Sequence, residues 1–350
     1  MHRAGGMSEP ENIVVRVATL PPPGPIGADV YAYRAEPLVP LQPGEIRVET
    51  LFASVDAGAR AMIDPHASYP MKLRPGNRVP TSAIVGRVVE SRNPAFGDGD
   101  HVRAFLVTRQ QFLVLDPARH LGVKRVDPAD GPLHLHLGTI GMTGFTAWLG
   151  ITGIGRPRAG ETVLVSAAAG AVGSVAGQIA KATGARVIGI AGGADKCRTV
   201  VERFGFDDCV DYKSPTFVAA LAQACPDGVD VYFENVGGSV QRAAFASMNV
   251  FGRVVLCGQI AGYGGGDSAE ATGVDLMVAI NQRLTLRGYL SSDHLADLPR
   301  FEADMLQRVK AGALIPGATI TAGFTNLHLA VNSLTSGRNI GQQIHQMTPP

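Results

Sequence analysis

The feature that most constrains the fold is an alternation of short apolar runs with helical segments, which begins at residue 160. Strands are expected at residues 162–167, 185–191, 209–212, 229–236, 252–258 and 284–290. Segments with helical character lie between them, for example at 171–183 and 194–204. Apolar strands that alternate with helices are typical of a parallel sheet covered on both faces. The second half of the chain is therefore predicted to be a doubly wound α/β sheet.

The first part of the chain has a different texture. Between residue 12 and about residue 135, short runs with strand character such as EIRVETLFAS and SAIVGRVVES are separated by Pro and Gly. This pattern indicates a twisted β-barrel or sandwich. A chain of 350 residues is also longer than the size at which single cores stop growing, about 250–300 residues, so two domains are expected. The last residues return to a strand–helix–strand pattern and are predicted to rejoin the first domain.

Composition excludes several classes of partner. The formal net charge is +1 and no cluster of Lys and Arg occurs, which argues against nucleic acid or an anionic membrane as the main partner. No apolar run approaches the length of a membrane span, and the first residues lack the apolar core of a signal peptide. We therefore expect a cytoplasmic protein whose four cysteines are reduced.

A glycine-containing turn joins the first predicted strand of the second half to its helix. Residues 168–173 read AAGAVG, which is the G-x-G-x-x-G pattern with alanine in the first position. Gly170 would let a pyrophosphate approach the backbone, and Gly173 would let the helix pack closely on the strand. A tight turn without a ligand is the alternative for such a pattern taken alone. Its place on the first strand of a βαβαβ run favours a dinucleotide site with the anion at the helix N-terminus.

The end of the second strand indicates which dinucleotide is bound. NAD sites place an acidic residue there to hold the ribose 2′-hydroxyl, whereas this chain reads GIAGGADK, with Gly192 and Gly193 at that point. Lys196 follows and could neutralise a 2′-phosphate, to which Tyr212 could donate its hydroxyl. An ordinary solvated helix lysine is the alternative for Lys196. We predict NADPH.

Several longer runs carry a family resemblance, among them LGTIGMTGFTAWLGITGIGRPRAGETVLVSAAAGAVGSVAGQIAK, DGVDVYFENVGG, VVLCGQIAGY and GRNIGQQI. Over residues 45–345 the chain resembles zinc-independent medium-chain dehydrogenases/reductases. It is most similar to their prostaglandin reductase and alkenal double-bond reductase branch. The resemblance implies a GroES-like β-barrel catalytic domain formed by residues 1–140 and 317–350. It also implies a Rossmann NADPH-binding domain at residues 141–316, with the active site in the cleft between the two.

The resemblance also implies a set of cofactor contacts and a reaction. The expected cofactor-binding residues are Gly170, Ala171, Val172, Gly173, Lys196, Tyr212, Asn235, Cys257, Gly258, Gln259, Ile260, Tyr263, Tyr289, Leu290, Ser291 and Asn339. Members of this branch reduce the C=C bond of α,β-unsaturated ketones and aldehydes. Hydride goes to the β-carbon, and hydrogen bonds stabilise the enolate oxygen. A homodimer formed through the edge strand LTLRGYL is the expected assembly.

Tyr263 is the candidate catalytic residue, because it occupies the position of the family's tyrosine in CGxIxxY. It would donate a hydrogen bond to the enolate oxygen or order the nicotinamide ribose. A packing tyrosine in a mobile loop is the alternative, and solvent could deliver the proton. The glycine-rich residues 262–273 are expected to form a lid.

A metal is not expected. Catalytic zinc in the larger superfamily needs Cys or His ligands in the first domain, and residues 1–196 contain no cysteine. His134 and His136 would point the same way in a strand. We expect them to be partly exposed polar residues near the domain junction.

Two departures from the branch concern the substrate pocket. Relatives often read SVDPYMR where this chain reads SVDAGAR, which places Ala57 and Gly58 at positions of larger side chains. Arg109 stands where many relatives have Trp. We predict a wider pocket for a bulky enone, polycyclic or acidic, with Arg109 near its polar end; a solvated Arg109 is the alternative. Asp56 and Arg60 are expected to be a structural cap and its partner.

Glu234 replaces the aspartate of the family's DNVGG run, which leaves the role of that acid open. Two other functions also stay open. The first is NADPH:quinone reduction, which uses the same fold and cofactor. The second is a catalytically silent NADPH-binding protein, since lost pocket aromatics could mean lost chemistry.

Overall fold

The structure is a computed structural model that describes residues 11–67, 69–263 and 276–348. Its strands are β1 Glu11–Val17, β2 Tyr31–Pro37, β3 Ile46–Val55, β4 Pro80–Ser91, β5 His101–Thr108, β6 Phe112–Leu115, β7 Lys124–Arg125, β8 Thr162–Ser166, β9 Arg186–Ala191, β10 Asp208–Asp211, β11 Val229–Glu234, β12 Met248–Leu256, β13 Thr285–Gly288, β14 Ala318–Ala322 and β15 Gln342–Gln346. Its α-helices are α1 Gly58–Met62, α2 Met142–Leu149, α3 Ala171–Lys181, α4 Ala194–Glu202, α5 Phe217–Ala224, α6 Gly238–Ala246, α7 Leu276–Asn281, α8 Leu298–Lys310 and α9 Leu327–Thr335.

The second half of the chain forms a six-stranded sheet in the order β10-β9-β8-β11-β12-β13. All neighbouring strands in it are parallel. The first strand, β8, lies in the middle, and the chain runs outward from it first on one side and then on the other. This arrangement confirms the predicted doubly wound sheet. Ligands bind such sheets at the carboxyl ends of the strands, where the direction of winding reverses.

Side chains of the central strands point alternately to the two faces of the sheet, and both faces are covered. This explains why these strands are apolar throughout. Val163 and Val165 of β8 pack into one hydrophobic cluster, and Leu164 between them packs into another on the opposite face. Because successive side chains of a strand point to opposite faces, a sheet covered on both sides buries every residue. All five residues of β8 are buried.

The first part of the chain forms an antiparallel sheet that the C-terminal strand completes. Its order is β14-β15-β3-β4-β5-β7, with β6 also paired to β3. Strand β15 lies antiparallel to β3 and parallel to β14. Register shifts in the β3–β4 pairing, at 47/48 and 50/52, bend the sheet. This sheet, separate from the parallel one, confirms the predicted combination of two folds; the boundaries at 140/141 and 316/317 stay predictions.

The two sheets are joined by contacts near the turn after β8. The Gly341 amide donates to the Ala169 carbonyl at 2.8 Å, and Gly170 and Gly341 form an isolated parallel bridge. Gly341 has a φ of +67°, and a Cβ there would lie 2.0 Å from the Gly317 carbonyl carbon. Only glycine fits this crossing.

Ion pairs add further contacts between the two parts of the chain. Glu302 of α8 pairs with Arg103 of β5 and with Lys124 of β7. Lys310, at the end of the same helix, pairs with Asp130 at 2.7 Å. Helix α8 is thereby held against the antiparallel part. Within the described ranges, no helix has the length and apolar character needed to cross a membrane.

Candidate cofactor and substrate site

A cavity of about 630 Å³ lies where the carboxyl ends of the parallel strands face the antiparallel sheet. Both parts of the chain supply its wall, for example Gly170 and Lys196 from one and Asp56 and Gln342 from the other. The predicted site residues in its wall are Ala57, Gly170, Ala171, Val172, Gly173, Lys196, Tyr212, Asn235, Cys257, Gly258, Ile260, Tyr263 and Asn339. The fold therefore brings most of the predicted residues together, although they are distant in sequence.

The turn after β8 keeps its shape although the first glycine of the pattern is absent. The residue in the left-handed region is Ala167, with a φ of +51°, so the alanine at position 168 is not required to adopt that conformation. Gly173 is needed for packing, because a Cβ there would lie 2.4 Å from the Ala167 carbonyl oxygen. Helix α3 begins directly after Gly170. Its first amides have no partners within the helix and are available to an anion.

Glu234 fixes the neighbouring loop of the cavity wall. Its side chain is 1% exposed, and Oε1 accepts hydrogen bonds from the Ser166 hydroxyl at 3.1 Å and from the amides of Val236 at 2.6 Å and Gly237 at 3.0 Å. The Asn235 side chain donates to the Ser166 carbonyl at 2.7 Å. The acid whose role the sequence left open therefore holds the ends of β8 and β11 together.

The residues predicted for the 2′-phosphate lie at one end of the cavity. Lys196 is partly buried in α4, and Tyr212 follows β10 with its amide bonded to the Ala191 carbonyl at 3.1 Å. A Cβ on Gly192 would lie 2.8 Å from the Tyr212 ring. Burial, and next the charge of Lys213, lower the pKa of Lys196. Lys196 is a partly buried cation, and glycines rather than an acidic residue follow β9. This combination fits a ribose 2′-phosphate better than a ribose 2′-hydroxyl.

At another part of the cavity, a tyrosine of the wall packs on a tyrosine outside it. Tyr263 lies in the wall, and its ring packs edge-on against Tyr69, with 5.5 Å between ring centroids and 75° between planes. The Tyr69 hydroxyl stands above Gly58, where a Cβ would lie only 2.2 Å from it. Burial, and next the neighbouring Tyr263, raise the pKa of Tyr69.

Tyr69 was missed by sequence reasoning. It lies in an irregular segment between α1 and β4 without a motif around it, and its link to Gly58 depends on the fold. It also changes the interpretation of the pocket: the space above Gly58 is filled by the Tyr69 hydroxyl. Gly58 itself is not in the cavity wall, and the wider pocket stays a prediction.

Four of the predicted cofactor residues are absent from the cavity wall: Gln259, Tyr289, Leu290 and Ser291. The Tyr289 hydroxyl donates to the Thr146 carbonyl of α2 at 2.7 Å, which points it behind the wall. Leu290 is 66% exposed, and Ser291 begins a 3₁₀ helix, Ser291–Asp297. Gln259 lies against Gly237, where a Cβ would meet its side chain at 2.6 Å.

Arg109 is neither in the wall nor in solvent. Its side chain is buried, with 2% of the residue exposed, and its guanidinium donates to the Ser54 carbonyl. Burial lowers its pKa to about 10. The solvated alternative is therefore wrong, and the structure places Arg109 behind the cavity rather than in contact with it. Arg109 was expected near the polar end of the substrate because it stands where many relatives have Trp, but its side chain is directed to the Ser54 carbonyl.

Other polar residues singled out from the sequence also find different partners. Arg60 pairs with Asp64 at 3.2 Å rather than with Asp56, whose carboxylate accepts from the Ser54 hydroxyl at 3.1 Å. His134 and His136 lie in a 3₁₀ helix, Leu133–Leu137, and not in a strand. In the part of the chain that the structure describes, no group of three or more His, Cys, Asp or Glu is arranged to hold a metal ion.

The glycine-rich segment predicted to act as a lid lies almost wholly outside the described residues. Its first two residues, Gly262 and Tyr263, are described, and Tyr263 closes a turn by donating its amide to the Ile260 carbonyl at 3.1 Å. Residues 264–273 are not among the described ranges, so the lid stays a prediction.

Comparison with known proteins places this site in a family. A profile described as zinc-binding dehydrogenase matches residues 171–310, and one described as N-terminal domain of oxidoreductase matches residues 16–122. The chain is 34% identical to the NADPH-dependent curcumin reductase of Escherichia coli over 305 residues, 86% of this chain and 87% of the relative. It is 35% identical to the NADP⁺-dependent 2-alkenal reductase of Nicotiana tabacum over 309 residues, 87% and 88% of the two chains.

A solved structure gives the same result in three dimensions. The crystal structure of CurA in complex with NADPH from Vibrio vulnificus superposes with a TM-score of 0.85 at 31% identity, covering 97% of this chain and all of that chain, 100%. The fold and the cavity are those of a two-domain dinucleotide-dependent oxidoreductase. The chain belongs to the medium-chain dehydrogenase/reductase family, in the branch that contains the curcumin, alkenal and prostaglandin reductases.

Proposed function

We propose that this protein is an NADPH-dependent reductase of the C=C bond of α,β-unsaturated ketones and aldehydes. The observation that supports it most is that one cavity has in its wall both a dinucleotide-type glycine turn and Tyr263, whose ring packs against Tyr69. Relatives named as curcumin reductase and 2-alkenal reductase support the same chemistry.

The residues present fit NADPH. The turn at Gly170 leaves room for an anion, since a Cβ there would meet only the Ala167 carbonyl oxygen, at 3.1 Å. Lys196 and Tyr212 would hold the 2′-phosphate, and Asn235, Gly258 and Tyr263 line the same cavity. NADPH, when bound, supplies the hydride that adds to the β-carbon. The chain's own residues then have to orient the enone and stabilise the charge that develops on its oxygen.

Tyr263 is proposed to donate its hydroxyl to the carbonyl oxygen of the enone. Negative charge accumulates on this oxygen as hydride arrives at the β-carbon, so a fixed donor favours the transition state over the ground state. Tyr69 packs against the Tyr263 ring and limits its rotation.

The pocket geometry also bears on substrate choice. Tyr69 occupies the space above Gly58, and Arg109 is enclosed behind Ser54. We therefore propose neutral enones and enals as substrates, without a preference for acidic ones.

The test is a panel of enones, enals and quinones assayed on one preparation by NADPH oxidation, with product identification by mass spectrometry and NMR. We expect saturated carbonyl products. Allylic alcohols as products would contradict the proposal, because they require hydride transfer to the carbonyl carbon. Turnover restricted to quinones would establish the quinone reductase alternative. NADPH binding without oxidation across the panel would identify a silent binding protein.

The proposed assembly is a symmetric dimer formed through β13. This strand pairs with β12 on one side only, and apolar side chains stand exposed beside it, with Met277 58%, Ile280 64% and Leu290 66% exposed. An open strand edge with apolar neighbours is a ready surface for a second copy. Light scattering after size-exclusion chromatography, on the native protein and on Ile280→Asp, tests it; a native monomer would contradict it. A cytoplasmic location stays a prediction.

A further inference from the structure

A second lysine lines the phosphate end of the cavity. Lys213 follows Tyr212 and lies in the same wall as Lys196. Its ammonium stands 6.0 Å from the centre of the Tyr212 ring. Neither lysine forms an ion pair with any carboxylate of the described residues. The wall therefore holds two cations whose charges no neighbouring side chain balances.

The acids next to these lysines in sequence are engaged elsewhere. Asp195 pairs with Arg198 on the outer face of α4. Asp211 uses Oδ1 to accept the backbone amides of Gly193 at 2.8 Å and Lys213 at 2.9 Å. This carboxylate thus fixes the two loops that carry the lysines, while its oxygen binds backbone rather than ammonium groups.

The charge of Lys213 acts on Lys196. Burial lowers the pKa of Lys196, and the charge of Lys213 lowers it further. Two like charges held close together are unfavourable unless a ligand of opposite charge binds between them. A phosphate monoester carries a charge of about −1.5 to −2 near neutral pH, which matches two lysines better than one.

Gly192 is what lets the second lysine approach. A Cβ at this position would lie 3.0 Å from Cε of Lys213 and 2.8 Å from the Tyr212 ring. On the other side, the Lys196 ammonium lies 4.0 Å from the Cβ position of Gly337, in the turn after α9. The site is thus bounded by loops that follow β9 and β10 and by a loop of the antiparallel part.

We propose that Lys213 is a second recognition residue for the cofactor's 2′-phosphate, beside Lys196 in the same cavity wall. This inference rests on the proposed use of NADPH and adds to it a residue that no motif indicated. It predicts that discrimination between NADPH and NADH depends on both lysines. It also predicts that Arg can replace Lys213, since a cation at the end of a long stem is what the site requires.

The test is isothermal titration calorimetry with adenosine 2′,5′-bisphosphate and with adenosine 5′-monophosphate, which differ only in the 2′-phosphate. Lys213→Met should weaken bisphosphate binding about tenfold and leave monophosphate binding within about twofold. Lys213→Arg should retain most of the affinity. Lys181→Met is the matched control, because Lys181 pairs with Asp207 at 2.5 Å outside the cavity.

The outcomes separate this inference from the proposed reaction, since no enone is present. Equal bisphosphate affinity of Lys213→Met and Lys181→Met would overturn the role of Lys213. An equal loss for both nucleotides would also overturn it, because it would show a structural effect on the adenosine site. If the bisphosphate loss is found and the enone panel is inactive, the phosphate site stands and the proposed reaction fails. Unfolding temperatures of all variants verify that the fold is intact.

Discussion

The two ends of the cavity are built in different ways. The phosphate end is formed by short turns at the ends of consecutive parallel strands: Gly192 and Tyr212 directly follow β9 and β10, and Gly170 lies in the turn after β8. The tyrosine end is assembled from segments far apart in the chain, with Tyr69 packing on Tyr263 above Gly58. Backbone geometry therefore determines the first, and side-chain packing determines the second. The consequence is that the first should tolerate almost no added volume, while the second should be adjustable by paired substitutions.

The largest effect is expected at the phosphate turn. Gly173→Val places a Cβ 2.4 Å from the Ala167 carbonyl oxygen, a backbone atom that cannot move without shifting α3. We expect a loss of about 1–3 kcal/mol in the free energy of unfolding and loss of measurable NADPH binding. Urea denaturation and fluorescence titration with NADPH measure the two. Gly97→Ala is the control, because its Cβ would meet nothing within 4 Å; a Gly173→Val variant that binds NADPH normally would contradict backbone control of this end.

The next effect is expected at Tyr263. Tyr263→Phe removes the proposed donor while keeping the ring that packs on Tyr69. The kcat for enone reduction should fall about 10²–10³-fold, as for loss of one donor to a developing oxyanion. NADPH affinity measured by titration should be unchanged. An unchanged kcat would show that Tyr263 only packs and that the enolate is stabilised by other groups.

A smaller effect on activity is expected from substituting Gly58 and Tyr69 together. Gly58→Ala puts a Cβ 2.2 Å from the Tyr69 hydroxyl, so Tyr69 has to move and Tyr263 loses its neighbour. We expect kcat/KM to fall about tenfold. Tyr69→Leu in the same chain should restore part of it, because it removes both the hydroxyl and the ring carbon Cζ that lies 2.4 Å from the added Cβ. A double-mutant cycle on kcat/KM measures the coupling. Strictly additive effects would show that the two positions are independent and that this end is not adjustable as a unit.

The contrast between the ends also explains what the sequence could predict. The doubly wound sheet and the phosphate turn follow from periodicity and from glycines a few residues apart, which are local signals. Tyr69 depends on a contact between residues 11 positions apart through an irregular loop, and no local pattern records it. Arg109 was expected to face a ligand, but the direction of its side chain depends on how β1 and β3 pack around it.

The smallest effect is expected in the antiparallel sheet behind the tyrosine end. His345 is fully buried, with 0% exposed, and burial, then the charge of Arg109, lower its pKa to about 4. Its ordinary pKa is about 6.5, so between these values the unfolded chain binds more protons than the native protein. Stability is therefore retained above about pH 6.5 and lost as the pH falls toward about 4.

Urea denaturation at several pH values in this window measures the dependence. His345→Gln should flatten the slope of the unfolding free energy against pH, and the exposed His120→Gln should leave it unchanged. His136 has a pKa lowered to about 4 as well, mainly by burial, so part of the slope should persist in His345→Gln. A slope that His345→Gln leaves unaltered would contradict the assignment.

The close contact of Gly341 with Gly317 affects whether the dinucleotide-binding half can be separated from the rest of the chain. The Ala169 carbonyl, inside the phosphate turn, receives its hydrogen bond from the Gly341 amide at 2.8 Å, and Gly341 directly precedes strand β15 of the other sheet. A fragment of residues 141–316 would keep every strand of the parallel sheet and still lack this donor. The dinucleotide-binding half therefore depends on the other part of the chain for the structure of its phosphate turn. A chimera that exchanges it between two relatives would have to transfer the crossing glycines and the register of β15 with it.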